Sequence, residues 1–205
     1  MSSDDLALVV LAAGASARLG EPKALVRLVP GPSGTALEIL LAAGAALGDP
    51  LPLVVGGAAH AQLSGVVPSG VELVHNRAWS TGRTSSVRCG MELRPGRDLC
   101  LAPVDVPLVP AGVFAALGAE WRRQGRPERG WLAPFVERAG VRRFGHPVLV
   151  GRGLLLELKA FPPERPLHAL RAQASPLLAL AVDSEAVLDD LDTPFDLERL
   201  RARSR

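Results

Sequence analysis

The chain is poor in the features that mark several large protein classes. Among its 205 residues there are two cysteines, Cys89 and Cys100, too few for a disulfide framework and without the paired spacing of a metal site. A reducing cytoplasm is therefore the expected setting, and each thiol reads as a small buried hydrophobe. A formal net charge of only +2 leaves no general electrostatic footprint for nucleic acid. Arg199, Arg201, Arg203 and Arg205 make the last helix basic and read as a solvated face. Met1 to Asp5 is polar and acidic, with no basic region ahead of an apolar core, which argues against secretion. Leu37 to Leu47 is apolar but too short to span a bilayer, so no membrane role is expected.

What is present suits one globular enzyme-sized domain over residues 1–205. An apolar share of 48% against 21% charged residues is enough for one sizeable core. Apolar strand patterns fall at Leu6–Leu11, Leu51–Val55, Val71–Val74, Leu99–Val104, Trp131–Val136 and Leu177–Val182. Helical patterns lie between them at Thr35–Leu47, Ala58–Leu63, Thr84–Glu92, Pro110–Arg123, Gly153–Leu158, Leu167–Gln173 and Thr193–Arg203. This alternation predicts an α/β fold in three layers around a mainly parallel, mixed sheet. The run Arg122–Arg129, with Gly125 and Pro127, reads as a surface loop.

The most informative stretch is Leu11-Ala12-Ala13-Gly14-Ala15-Ser16-Ala17-Arg18-Leu19-Gly20-Glu21-Pro22-Lys23, where a buried strand empties into a loop of small residues. Ala12, Ala13, Gly14 and Ala15 have almost no side chain, so a ligand can approach backbone N–H groups, and Gly14 is free to take a positive φ. Arg18 and Lys23 add a forked donor and a mobile point charge, a pair able to grip a triphosphate. The loop has neither the Gly-Lys-Ser/Thr of the P-loop nor the glycine spacing of the dinucleotide fingerprint. Being at the carboxyl end of a strand, it is where ligands collect in open α/β sheets.

Three further segments should converge there. Asn76 to Met91 is a polar loop opening a helix; Thr84, Ser85 and Ser86 are natural N-cap residues, and capping accounts for at least one of them. Trp79 either packs or covers the site. In Leu101-Ala102-Pro103-Val104-Asp105-Val106-Pro107 an apolar strand ends in a lone carboxylate. Asp105 is either the start of a proline turn or a ligand for Mg2+, which takes carboxylates together with substrate phosphate oxygens. In Asp189-Asp190-Leu191-Asp192-Thr193-Pro194-Phe195-Asp196-Leu197, Thr193, Pro194 and Asp196 are explained as a capping box with proline in the first turn. No nucleophile–base pair presents itself.

Leu-Ala-Ala-Gly followed by Ser16, Arg18, Gly20, Pro22 and Lys23 resembles the signature of nucleotidyltransferases of the molybdenum cofactor cytidylyltransferase type. The resemblance implies a nucleotidyltransferase-like, nucleotide-binding α/β fold and a Mg2+-dependent reaction that moves a nucleoside monophosphate from an NTP to a phosphate-bearing acceptor, foremost molybdopterin, with release of pyrophosphate. It implies roles for Arg18, Lys23 and Asp105 in catalysis, for Leu11 to Gly14, Gly82 and Ser86 in holding the nucleotide, and for Asp105 and Asp192 in holding the metal, with Asp190 as fallback. Gly82, Ser86 and Gly90 fit the family's base-contacting segment. Val104 stands where the family has Gly in Gly-Asp-x-Pro. Gly145-His146-Pro147 resembles the turn on the acceptor side of the cleft. Ala13 favours CTP over GTP. A transient contact with a molybdenum enzyme is also implied. Two alternatives stay open: a cytidylyltransferase for a sugar or polyol phosphate, since Arg83-Thr84-Ser85-Ser86-Val87 is similar to the isoprenoid enzyme, and a non-catalytic molybdopterin-binding maturation partner.

Overall fold

A run that is apolar at every position is stable only with both faces covered. In the computed structural model, which describes residues 5–162 and 164–204, Leu6–Ala12 is such a strand, buried along its whole length. Its side chains alternate between two cores: Leu6, Leu8, Val10 and Ala12 face one, and Ala7, Val9 and Leu11 the other. This is β1, and around it are β2 (Leu53–Gly56), β3 (Glu72–His75), β4 (Asp98–Pro103), β5 (Trp131–Arg138), β6 (Val141–Phe144), β7 (Val148–Val150) and β8 (Leu177–Ala181). They form one sheet in the order β3-β2-β1-β4-β7-β5-β6, with β8 paired to β5.

The half from β3 to β4 is parallel, with Leu11 beside Val55 on one side and Pro103 on the other. β7 then runs antiparallel between β4 and β5, which makes the sheet mixed. One core is closed by α1 (Ala36–Gly44), α4 (Ala111–Arg123) and α7 (Pro194–Arg203), through Leu40, Phe114, Leu117, Trp121 and Leu200. The other is closed by α3 (Arg83–Leu93), α5 (Arg152–Leu155) and α6 (His168–Arg171), through Val87, Leu154 and Leu170. A short helix, α2 (His60–Leu63), follows β2. Three layers therefore stand as the sequence predicts, and the capping boxes Thr35/Glu38 and Thr193/Asp196 open α1 and α7. No described helix is long and apolar enough to cross a membrane.

The sequence pattern missed β6 and β7. β6 is exposed at all four residues and β7 is only three residues long, so neither gives a readable period. The basic last helix also differs from expectation. Arg199 binds Asp189 and Asp196, Arg203 binds Asp189, and Arg201 binds Glu198 and the Arg27 carbonyl, so these cations, still partly exposed, also tie the helix down. Arg205 lies outside the described residues, as does Met1 to Asp4 of the amino terminus. In the run expected to be a surface loop, α4 continues to Arg123, and Arg126 folds back onto Asp5 and Asp98.

Asp98, at the start of β4, has no exposed surface. Its carboxylate accepts from Trp121 Nε1 at 2.9 Å and from the Arg152 backbone N–H at 2.9 Å, joining β4 to α4 and α5. Asp98→Ala strands these buried donors and the nearby Arg126 and Arg152 guanidinium groups. It should cost about 3 kcal/mol, read as a lowered urea midpoint with an unchanged slope.

Candidate functional site

Because β1 and β4 are parallel neighbours, their carboxyl ends open on the same side of the sheet, and Val104 N–H donates to the Leu11 carbonyl at 3.1 Å to hold the two exits together. Beyond β1 the chain turns at Ser16, whose φ is +54°. Ser16 braces the loop: its carbonyl accepts from Leu19 and Gly20, and its hydroxyl accepts from Lys23 N–H at 3.1 Å. Among the described residues, the N–H groups of Gly14, Ala15, Ser16, Ala17 and Arg18 have no protein acceptor. They are available to an anion. Gly14 does not use the positive φ expected of it; Ser16 and Gly20 carry that conformation instead, and a Cβ on Gly14 would meet nothing within 4 Å.

Lys23, its side chain 14% exposed, lies between two carboxylates. Its ammonium donates to Asp192 Oδ1 and is 4.0 Å from Asp105 Oδ2. Arg18 reaches Asp192 at 2.8 Å, and Arg83 reaches Asp105 at 3.2 Å. The two acids are joined through the backbone too, since Leu191 N–H donates to the Asp105 carbonyl at 2.7 Å. The hydrogen bond from Lys23, followed by the charges of Lys23 and Arg18, holds the Asp192 carboxyl below its ordinary range. Asp190 moves the other way, raised first by burial and then by the charges of Asp105 and Asp192. The structure thus brings Arg18, Lys23, Asp105 and Asp192 to one place; Asp190 is exposed and does not line the cavity they share.

These residues rim a cavity of about 390 Å³ that Leu11, Ala12, Ala13, Gly14, Gly82 and Ser86 also line. Trp79 lines it as well, and its Cβ would lie 2.7 Å from a Cβ on Gly57. The same added Cβ would sit 2.4 Å from the Ala13 carbonyl, so Gly57 permits a close meeting of three loops. Val104 is buried in the core cluster and also lines this cavity, at the position where the resemblance has glycine.

The three hydroxyls Thr84, Ser85 and Ser86 do not cap α3. Gly82 stands at the N-cap with φ +120°, a conformation open to glycine, and no side chain caps the helix. Thr84 instead donates to the Arg165 carbonyl at 2.6 Å, and Ser85 and Ser86 both accept from Asn76. Gly90 belongs to the core rather than the site: a Cβ there would lie 2.9 Å from Val9, so it serves close helix–strand packing.

A second cavity of about 550 Å³ adjoins the first, sharing Leu11, Gly82, Arg83 and Pro103. His146 lines it, with its Nδ1 buried and without a partner. Burial first, and then the charge of Arg83, lowers its pKa to about 4, so the ring is neutral at pH 7. Arg83 stands between the two cavities and on Asp105. The sequence reading gave it no site role, because an exposed arginine at a helix start carries no local signature. Asn76 and Gly57 were missed for the same kind of reason, since their partners are distant in sequence.

The donor set fits a hard divalent cation that keeps waters and takes phosphate oxygens, since two carboxylates share one lysine beside free N–H groups. Among the described residues, no group of three or more His, Cys, Asp or Glu could hold a metal by itself. Any ion bound here takes its remaining ligands from substrate and water.

An open α/β sheet with an anion-ready loop and paired carboxylates at the carboxyl ends of its parallel strands defines a nucleotidyltransferase-like protein. The family model for the MobA-like NTP transferase domain matches residues 8–180, and the chain belongs to that family. Among solved structures it is similar to Rv0371c from Mycobacterium tuberculosis H37Rv, at 24% identity over 98% of this chain and 100% of that one, with a TM-score of 0.77. A further structure of that protein is a complex with manganese. The homologue from Mycobacterium sp. strain JC1 is 26% identical over 99% of this chain and 98% of that one, with a TM-score of 0.76. The 4-diphosphocytidyl-2C-methyl-D-erythritol synthase of Anaerococcus prevotii shares the fold, at 11% identity over 98% and 96% of the two chains and a TM-score of 0.73. No curated protein matches the chain.

His146 generates a pH prediction. Its value in the folded protein, about 4, lies below the ordinary 6.5, so the unfolded chain takes up the proton first as pH falls. The stability tied to the neutral ring is full above about pH 6.5 and is lost as pH falls toward 4. Urea unfolding at pH 7 and pH 5 should therefore show a loss that is smaller in His146→Gln than in the parent chain.

Proposed function

We propose that the chain, as a single domain over residues 1–205, transfers a nucleoside monophosphate from an NTP, CTP ahead of GTP, to a phosphate-bearing acceptor, most simply molybdopterin. Pyrophosphate is the second product. The observation that carries this reading is the Lys23 ammonium, held between Asp105 and Asp192 beside a loop of unpartnered N–H groups. Membership of the NTP transferase family supports it.

In this reading the N–H groups of Gly14 to Arg18 and the Arg18 guanidinium receive the β- and γ-phosphate oxygens. Arg18, 71% exposed, leaves Asp192 to do so. Leu11, Ala12, Ala13, Gly82 and Ser86 enclose the nucleoside. The acceptor occupies the larger cavity past Arg83 and His146. An oxygen of its phosphate attacks the α-phosphorus in line; the new P–O bond forms as the bond to the bridging oxygen breaks, and pyrophosphate leaves with that electron pair. Lys23 balances the charge that builds on the α-phosphate. Asp105 and Asp192 would hold Mg2+, which when bound supplies Lewis-acid neutralisation of the phosphate oxygens. The related manganese complex and the donor set support a divalent ion.

A cytidylyltransferase for a sugar or polyol phosphate is the second reading, favoured by Arg83-Thr84-Ser85-Ser86-Val87 and by the cytidyl-transferring fold relative. A molybdopterin-binding partner without catalysis is a third, and contact with a molybdenum enzyme in the cytoplasm is compatible with the first as well. Pyrophosphate release, measured with each NTP with and without molybdopterin, separates them: the first reading expects release with CTP only when molybdopterin is present. Release with a polyol phosphate instead selects the second, and none with any acceptor selects the third.

Lys23→Ala should lower turnover on the order of 10²–10³-fold. A variant retaining full turnover would remove Lys23 from the chemistry. Asp105→Asn should weaken magnesium-dependent CTP binding about tenfold or more by calorimetry, while CTP binding without magnesium changes little.

A further inference from the structure

Asn76 follows β3 directly and is 3% exposed. Its amide is fully committed. Oδ1 accepts from Ala78 N–H at 3.0 Å, which fixes the orientation of the group, and Nδ2 donates to Ser85 Oγ at 2.8 Å and Ser86 Oγ at 3.0 Å. A hydroxyl that accepts from an amide still has its own hydrogen to give. Ser85 gives its hydrogen to the carbonyls of Gly82, at 2.8 Å, and Ala78, at 3.0 Å. Ser86 gives its hydrogen to no acceptor among the described residues.

The usual outlet of a helical serine is the carbonyl four residues back. For Ser86 that is Gly82, whose oxygen already receives the Ser85 hydroxyl. Ser86 is itself 3% exposed and lines the smaller cavity. Its one unspent hydrogen therefore belongs to whatever fills that space.

We infer that Asn76 is a positioning residue that makes the Ser86 hydroxyl a dedicated hydrogen-bond donor to the nucleobase, and so selects cytosine, whose N3 accepts, over uracil, whose N3 carries hydrogen. This rests on the cavity being the nucleotide site. The selection works by polarity rather than size. Facing uracil, Ser86 either meets a second donor or turns its remaining lone pair to N3–H and leaves its own hydrogen buried without an acceptor; in both cases a buried polar group goes unsatisfied, which discriminates better than a missing contact.

Asn76→Asp tests it, because a carboxylate of nearly the same shape can only accept. Ser86 then turns its hydrogen toward residue 76 and offers the cavity a lone pair. Calorimetry with CTP and UTP should give a CTP-to-UTP affinity ratio lowered about tenfold or more, through weaker CTP and unchanged or tighter UTP binding. Ser86→Ala should also lower the ratio, and adding Asn76→Asp to it should change the ratio no further. Circular dichroism melts establish that each variant is folded.

A folded Asn76→Asp protein with the parental ratio overturns the inference, as does a further change in the Ser86→Ala background or a parent that binds UTP more tightly. If Asn76→Asp does not fold, Ser86→Ala decides: a lowered ratio supports the inference and a parental ratio overturns it. A parent chain that binds no NTP removes the nucleotide-site reading itself, and this inference with it.

Discussion

The hydrogen bond from Leu191 N–H to the Asp105 carbonyl, 2.7 Å long, is the constraint on which the site depends. It pins the segment before α7 to the turn after β4, and Leu191, wholly buried, anchors that segment in the core. Asp105 and Asp192 are thereby presented to Lys23 from distant parts of the chain, 169 positions separating Lys23 from Asp192. The capping box of α7 serves the same end. Asp196 accepts from the N–H of both Asp192 and Thr193, and its carboxyl is held down at about 2, first by Arg199 and then by Thr193. A helix start explained by capping alone thus positions the Asp192 carboxylate beside Lys23.

That sharing explains what was legible in the sequence and what was not. β1 could be read because seven apolar residues in a row have one stable place in an α/β sheet, and the loop after it because small residues and two cations leave few other uses. Asp105 could be read because a lone charge ending a buried strand is costly. The expectation that at least one hydroxyl of α3 caps it failed because the capping rule is local. Gly82, with φ +120°, takes the N-cap, and Asn76, nine and ten residues away, takes Ser85 and Ser86. Arg83, read only as part of the Arg83–Val87 resemblance, gained no role of its own because its partner, Asp105, is 22 positions on. The arginines of α7 look solvated in one dimension and find Asp189 and Asp196 in three.

β7 shows the same limit at the level of fold. Three residues cannot announce a strand, yet Val148–Val150 bridges the parallel half of the sheet to β5. It also fixes the Gly145-His146-Pro147 turn at the mouth of the larger cavity. There His146 N–H donates to the Val187 carbonyl at 2.9 Å, and a Cβ on Gly145 would lie 2.2 Å from that oxygen. The His146 side of the larger cavity is therefore held by the 185–188 turn, which leads into the same Asp189–Asp192 segment that carries the Asp192 carboxylate. Both cavities hang from one stretch of backbone.

The charge balance of the rim bears on how a nucleotide enters. Arg18, Lys23 and Arg83 face Asp105 and Asp192, three cations against two carboxylates, and the charges of those two acids, after burial, raise the Asp190 carboxyl above its ordinary range. A free triphosphate brings several negative charges to a rim whose cations are already largely matched, and each cation it takes leaves a carboxylate unpaired beside it. A triphosphate arriving with a divalent cation brings less net charge, and gives Asp105 and Asp192 a counter-charge as Arg18 turns to the phosphates. On the proposed function, the half-buried carboxylates make the second route the favourable one, with metal and nucleotide together replacing the Lys23 and Arg18 ion pairs.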